Sequence, residues 1–129
     1  MSYPQDRRYA KSHEWVLLDG STATIGITSY AQEQLGDVVF VELPAVGSTL
    51  ERDGAMGNIE SVKAVSEVFA PVAGEVVEVN GALEGRPELL NTDPHGEGWL
   101  VRVKMAPGSD AGLLTAAEYE AFLAEEGAH

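Results

Sequence analysis

The residue whose position most clearly indicates chemistry is Lys63, in the stretch 57–68 (GNIESVKAVSEV). Apolar and polar residues on either side predict two β-strands, over 55–60 and 65–69, joined by the turn Ser61-Val62-Lys63-Ala64. A primed hairpin turn would need φ > 0 at positions where the β-branched Val62 is strained. A type I turn accepts Val62 and Lys63 at its centre and presents the lysine ammonium outward from a rigid tip. We therefore predict that Lys63 is a covalent attachment point; spacing alone leaves a solvated turn lysine as an equal alternative.

The composition makes this lysine more unusual. The 129 residues hold 21 acidic and 8 basic side chains, a formal charge of −13, and Lys11, Lys63 and Lys104 are the only lysines. The length suits one domain, 1–129, with its own core. The charge repels nucleic acid and anionic membranes, so we expect neither as a partner. It favours protein partners with basic docking faces, although the acids could also serve only solubility.

The sequence excludes several other kinds of site. There is no cysteine, so disulfides, thiol catalysis and cysteine-based metal sites are absent. No apolar run approaches the roughly 18 residues that span a bilayer, and the first eight residues lack an apolar signal core, which predicts a cytoplasmic protein. No nucleophile elbow, P-loop or dinucleotide fingerprint occurs, and we expect no metal site.

The elements that must position Lys63 are mostly β-strands. Asp19-Gly20-Ser21 separates two β-rich runs and predicts a hairpin. Further strands are predicted over 38–43, 75–79 and 99–105, while the glycine- and proline-containing segment 80–98 reads mainly as a connection. The pattern is typical of a mainly β protein.

Helices are predicted at two places. A short helix should lie between Thr28 and Gly36, because a Thr/Ser start and a terminal glycine mark its ends. A C-terminal helix is predicted over 115–126, with Thr115 and Glu118 forming a capping box and an apolar stripe docking it on the sheets. Residues 1–8 read as a loose N-terminal arm.

A weak internal repeat surrounds the Lys63 hairpin. The segment 36–41 (GDVVFV) resembles 74–79 (GEVVEV), and each copy is followed by a glycine 11 residues after its first residue. Two copies of a strand–turn unit predict a small β-sandwich with approximate two-fold symmetry. The alternative is a chance similarity, since short valine-rich strands are alike in composition.

With these residues in view, the chain resembles the H protein of the glycine cleavage system along nearly its whole length. The resemblance rests on five stretches in order: 12–15 (SHEW), 23–28 (ATIGIT), 38–44 (VVFVELP), 60–64 (ESVKA) and 74–80 (GEVVEVN). It implies a barrel-sandwich hybrid, a flattened β-barrel of two antiparallel sheets like that of lipoyl and biotinyl domains, with a short internal helix and a C-terminal helix.

The resemblance also implies a function. The matching lysine of the family carries lipoate in amide linkage, so lipoate is expected on Lys63. The lipoamide arm would carry an aminomethyl group from the pyridoxal-phosphate-dependent glycine decarboxylase (P protein) to the tetrahydrofolate-dependent aminomethyltransferase (T protein). Dihydrolipoamide dehydrogenase (L protein) would then reoxidise it. The chain would be a monomeric, non-catalytic carrier, and an imported dithiolane would supply the sulfur that the sequence lacks.

The resemblance assigns further roles to two sets of residues. Glu60, Gly47 and Gly74 would help the lipoate-attaching enzyme to recognise the hairpin, although the glycines could serve backbone geometry alone. Ser12, Glu14 and Glu67 would dock the loaded arm, because its terminal ammonium needs carboxylate or hydroxyl partners. Some relatives have Asp in place of Glu67 and His in place of Gln34.

Two other functions remain open at this point. One is a lipoyl or biotinyl carrier or donor for a different multienzyme system; biotinyl domains usually place Met beside the lysine, and Val62 and Ala64 here favour lipoate. The other is a small hydrolase using His13 and Glu14, for which the sequence offers no nucleophile.

Overall fold

The computed structural model describes residues 3–125. Nine strands and four helices follow one another along these residues: β1 (Arg8–Tyr9), β2 (Glu14–Asp19), β3 (Thr22–Ile27), α1 (Ser29–Leu35), β4 (Val38–Glu42), β5 (Thr49–Leu50), β6 (Ala55–Ser61), β7 (Val65–Phe69), β8 (Gly74–Val79), α2 (Ala82–Gly85), α3 (Leu89–Thr92), β9 (Val101–Met105) and α4 (Ala116–Glu125). Among the described helices, none has the length and apolar character that crossing a membrane would require.

The strands form two antiparallel sheets. The larger has six strands in the order β1-β2-β3-β9-β8-β5, and the smaller has three in the order β4-β6-β7. Neither sheet closes on itself, and the two enclose an apolar core that includes Val16, Ile25 and Ile59. This agrees with the predicted mainly β architecture of two antiparallel sheets. The repeated segments 36–41 and 74–79 supply β4 of the smaller sheet and β8 of the larger sheet, on opposite sides of the core.

The smaller sheet carries the Lys63 hairpin. In its register Glu60 pairs with Val65 and Asn58 with Glu67, so β6 and β7 run together up to the tip. On the other side, β4 pairs with β6, with Phe40 opposite Glu60 and Glu42 opposite Asn58. Bulges interrupt both pairings, between Val38 and Phe40 and between Ala55 and Gly57. Bulges bend a strand and increase its twist, and here they lie in β4 and β6.

Both predicted helices are present. Thr28 is the N-cap of α1, its side-chain oxygen accepting from Ala31 N, and Gly36 ends the helix with φ 79°. At α4, Thr115 N donates to Glu118 Oε1 at 2.8 Å and Glu118 N donates to Thr115 Oγ1 at 3.2 Å, which is the predicted capping box. The helix is described to Glu125; residue 126 of the predicted range lies outside the described residues.

The described part of the N-terminal arm is packed, and not loose as predicted. Tyr3 is buried in a second apolar cluster with Tyr9, Trp15, Tyr119 and Leu123, which fixes α4 against β1 and β2. Tyr3 packs edge-on against Tyr119 with ring centroids 5.1 Å apart. Residues 1 and 2 of the predicted arm lie outside the described residues. The sequence did not predict this contact, because the residues around Tyr3 are polar and its partner Tyr119 is distant in the chain.

The segment 80–98 is more ordered than predicted. It contains α2 and α3, whose Leu83, Leu89 and Leu90 are buried. The side-chain amide of Asn80 joins the two ends of this segment by donating to the carbonyl oxygens of Glu97 and Trp99, both at 2.8 Å. Its glycines and prolines indicated loops, but burial of three leucines in the core stabilises two short helices there.

Candidate functional site

The turn that carries Lys63 is held by its own side chains. The Ser61 hydroxyl accepts from Lys63 N at 3.3 Å and from Ala64 N at 3.1 Å, and Ser61 N donates to Ala64 O at 2.8 Å. Val62 N donates to Asp37 O at 3.0 Å, which joins the turn to the chain after α1. Neither Val62 nor Lys63 has a positive φ, as predicted from the β-branched Val62. The tip is therefore defined mainly by local bonds.

Lys63 is exposed at this tip. Its aliphatic stem follows the backbone of Gly36 at the end of α1, where an added Cβ would lie 3.5 Å from Lys63 Cε. Among the described residues, Lys63 forms no ion pair. Its ammonium group can therefore be reached by an enzyme from outside the protein.

A cleft of about 330 Å³ opens beside the hairpin, and Ala64 and Val65 form part of its wall. Ser12 from the turn before β2, Glu14 from β2 and Glu67 from β7 all line this cleft. Tyr30 and Gln34 of α1 also line it. The fold thus brings together three residues that are up to 55 positions apart and places them next to the tip.

Glu14 is the buried charge of the cleft. It is 3% exposed, and Ser12 Oγ donates to its Oε1 while Phe69 N donates to its Oε2 at 3.5 Å. Burial removes water from the carboxylate and raises the pKa of Glu14 to about 7; the Ser12 hydrogen bond opposes this only in part. A carboxyl group with this pKa exists in both charge states near neutral pH and suits a cationic guest.

The wall of the cleft also contains His13, which the sequence suggested only as part of a hydrolase site and not as part of an arm-binding cleft. His13 has φ 76°, a left-handed conformation that is uncommon outside glycine. It ends a tight turn in which His13 N donates to Ala10 O at 2.9 Å, and Ala10 N donates to Glu14 O at 2.9 Å. This turn sets the direction in which the chain enters β2, and hence the place of Glu14.

His13 is held by the C-terminal helix. Its Nδ1 lies 2.8 Å from the hydroxyl of the fully buried Tyr119, and that hydroxyl lies 2.8 Å from Thr28 Oγ1, at the N-cap of α1. Burial raises the pKa of Tyr119, so the hydroxyl stays protonated. The only sequence signal for Tyr119 was its place in the apolar stripe of α4.

The three residues predicted to assist recognition lie on different sheets. Glu60 is on β6 of the smaller sheet, close to the tip, whereas Gly74 begins β8 in the larger sheet and Gly47 precedes β5. Gly47 has φ 91° and its N donates to Val76 O at 2.7 Å. At Gly74 a Cβ would overlap the carbonyl oxygen of Lys104. Both glycines therefore have a backbone role in joining β5, β8 and β9.

Comparison with known proteins identifies the family. The model of the glycine cleavage H-protein family matches residues 7–126. This chain belongs to the glycine cleavage H-protein family. The glycine cleavage system H protein of Nitratidesulfovibrio vulgaris (strain Miyazaki F) is 56% identical over 126 residues, covering 98% of each chain. That of Beutenbergia cavernae is also 56% identical over 126 residues, covering 98% of this chain and all of the relative.

A solved structure extends this likeness to the fold. The crystal structure of a glycine cleavage system H protein from Mycobacterium marinum superposes with a TM-score of 0.86 at 42% identity, covering 97% of this chain and 99% of the other. The chain is thus the carrier component of a glycine cleavage system.

Proposed function

We propose that this protein carries lipoate in amide linkage on Lys63 Nζ and has no turnover of its own. The observation that carries the proposal is the exposed lysine at a hydrogen-bonded hairpin tip, next to a cleft that contains a buried carboxyl group. When bound, lipoate supplies a dithiolane that accepts an aminomethyl group and returns to the disulfide on oxidation. The chain has no cysteine of its own to do this.

The protein's part is to present and then shelter the arm. The tip holds Lys63 away from the core, so the arm reaches the active sites of glycine decarboxylase, aminomethyltransferase and dihydrolipoamide dehydrogenase in turn. Tethering raises the local concentration of the reactive sulfur at each enzyme that docks. Glu60 serves the attaching enzyme by its charge beside the tip. Gly47 and Gly74 serve it indirectly, by fixing β5, β8 and β9 of the larger sheet, which encloses the core together with the sheet of the hairpin.

The cleft is where the loaded arm rests. The arm ends in a primary ammonium, and Glu14 is the carboxylate that faces it, with Ser12 at the rim as a hydroxyl partner. Glu67 lies on the same cleft but is exposed, so its contribution is screened by water. A buried ion pair in the cleft keeps water from the labile aminomethyl adduct.

Two measurements test the proposal. The unmodified protein is incubated with lipoate, ATP and a lipoate-attaching enzyme, and its intact mass should rise by one lipoyl group. The product should then support glycine–bicarbonate exchange by glycine decarboxylase. An unshifted mass would refute the attachment; a shifted mass without exchange would leave a lipoyl carrier for another system.

A further inference from the structure

The outer face of the smaller sheet carries an apolar patch next to Lys63. In the register of β4, β6 and β7, Phe40 lies opposite Glu60 and Glu60 lies opposite Val65, so the three form one row across the sheet. Phe40 is 51% and Val65 is 65% exposed. Exposed apolar side chains that are grouped in a patch mark interaction sites.

The patch continues into a depression beside β4. This depression has a volume of about 300 Å³, and Phe40, Leu43 and Pro44 form part of its apolar lining. Glu42 and Glu84 also line it, and its lining contains no lysine or arginine. It has room for an apolar side chain from a partner.

Apart from Lys63 at the tip, the charged side chains on the strands that carry the patch are all acidic. The strands β4, β6 and β7 contain Glu42, Glu60 and Glu67 but no lysine or arginine. The ion pairs found among the described residues lie elsewhere, at Arg7–Asp6, Arg86–Glu88 and Arg102–Glu78. A partner with an apolar knob and a basic rim would be complementary in shape and charge.

The short reach of the unmodified lysine side chain indicates which enzyme would bind this patch. Before modification, the attaching enzyme must bring Nζ itself into its active site, so the surface it reads must adjoin the tip. Enzymes that act on the finished arm can dock farther away, because the arm adds to the reach. Attachment also needs a carboxyl group activated as an acyl adenylate, and its phosphate requires cations on the enzyme.

We propose that Phe40, Glu60 and Val65 form the docking surface for the lipoate-attaching enzyme. Its apolar contact covers Phe40 and Val65, and a cation of its rim pairs with Glu60. Nζ then attacks the acyl adenylate: the amide bond forms, the carboxyl–phosphate bond breaks, AMP leaves with the electron pair, and the Nζ proton passes to a base. This inference rests on the proposed function and adds the residues of β4 and β7 to it.

The test compares two apolar-to-polar substitutions. Phe40→Ser removes the aromatic ring from the patch, and Val77→Ser removes a 45% exposed side chain from β8 in the other sheet. The rate of attachment by a purified lipoate-attaching enzyme is followed by intact mass. Loss of a buried anchor predicts a fall in kcat/KM of about tenfold for Phe40→Ser, mainly through KM. Val77→Ser should match the wild type, and Phe40→Leu should recover most of the loss.

Two further measurements separate loss of the docking surface from loss of the fold. Thermal unfolding shows whether Phe40→Ser is folded. If it is not, Val65→Ser tests the surface instead, because Val65 lies in the same row and is 65% exposed. Glu60→Gln should weaken the salt dependence of kcat/KM, because one charge pair is lost. Equal attachment rates for the wild type, Phe40→Ser, Val65→Ser and Glu60→Gln would overturn the docking surface while leaving the proposed function intact.

The surface could instead serve the decarboxylase. Phe40→Ser is therefore loaded fully with excess attaching enzyme and assayed for glycine–bicarbonate exchange. Normal exchange after slow attachment supports the proposal. Normal attachment followed by impaired exchange overturns it in favour of the decarboxylase. No mass shift even in the wild type would mean that the proposed function itself fails.

Discussion

Two tight turns face the same cleft, and they are built in opposite ways. The tip turn, 61–64, joins β6 and β7, and the Ser61 hydroxyl holds it together from within. The turn 10–13 joins β1 and β2, and its last residue, His13, is anchored on Tyr119, 106 residues away. The tip has no positive φ, whereas His13 has φ 76°.

The difference follows from what each turn must present. The tip places a charged side chain in water, which needs only a rigid local geometry. The inner turn places a carboxyl group inside the protein, which is costly unless hydrogen bonds and packing fix it. The left-handed backbone of His13 is held in place by the tertiary contacts of its ring, including the one with Tyr119.

Lys63→Arg should give the largest effect at the tip. Arginine has no nucleophilic amine at neutral pH, so the mass shift with lipoate and the attaching enzyme should be abolished. The unfolding temperature should stay within about 2 °C of the wild type, because an exposed side chain is changed. Lys104→Arg, at an exposed position of β9, is the control and should load normally. A residual shift of one lipoyl group in Lys63→Arg would place the attachment elsewhere.

Among changes near the inner turn, Glu14→Gln should have the largest effect, and this effect is on how the unfolding free energy depends on pH. The folded-state pKa of Glu14 is raised to about 7 from 4.5, so the folded protein binds this proton more tightly than the unfolded chain does. The resulting stability is fully present below pH 4.5 and is lost as the pH rises through about 7. Relative to Glu14→Gln, the wild type should lose about 3 kcal/mol of unfolding free energy across this range.

Urea unfolding at several pH values measures this difference. Gln34→Ala, also in the cleft but without a titrating group, should keep the pH slope of the wild type. In the loaded protein, Glu14→Gln should speed hydrolytic loss of the aminomethyl group above pH 7, where the wild-type carboxylate pairs with the ammonium. If the unfolding free energies of wild type and Glu14→Gln change in parallel with pH, the buried carboxyl group does not affect stability in this way. If the two loaded proteins lose the aminomethyl group equally fast above pH 7, it does not protect the arm.

Tyr119→Phe tests the anchor of the inner turn. It removes the hydroxyl shared by His13 Nδ1 and Thr28 Oγ1 and leaves buried polar atoms without that partner. We expect a loss of about 1–3 kcal/mol of unfolding free energy. Ser61→Ala, which removes the hydroxyl at the exposed tip, should cost less, because water can replace its bonds. If the two variants lose equal stability, the contrast between a local and a tertiary anchor is wrong.

The smallest effect is expected for the difference in unfolding free energy between a glycine and an alanine variant at one position of each turn. At His13 both variants lose the ring, but glycine relieves the left-handed backbone, so His13→Gly should be more stable than His13→Ala by about 1 kcal/mol. At Val62, which has no positive φ, the order should reverse by about 0.5–1 kcal/mol, because glycine loses more entropy on folding. The same order at both sites, measured by thermal unfolding, would show that the two backbones do not differ in strain.

Much of the fold was predictable because its signals are local. The Asp19-Gly20 hairpin, the ends of α1, the capping box of α4 and the strands around Lys63 each depend on residues close in the chain. The packed arm and the two helices within 80–98 were missed, because Tyr3 and the buried leucines find their partners far along the chain. The cleft residues Ser12, Glu14 and Glu67 were expected from family resemblance, and their spacing gave no reason to group them.

The sequence by itself determined the tip: a lysine between two strands, with a β-branched neighbour that excludes a primed turn and a serine that can bond the turn. These are short-range properties of four consecutive residues. Only the tertiary structure decided what surrounds the tip. It placed Glu14 in a cleft that removes water from its charge, anchored His13 on a helix from the other end of the chain, and aligned Phe40 with Glu60 and Val65. Burial and cross-strand register depend on contacts between distant residues, which no local pattern specifies.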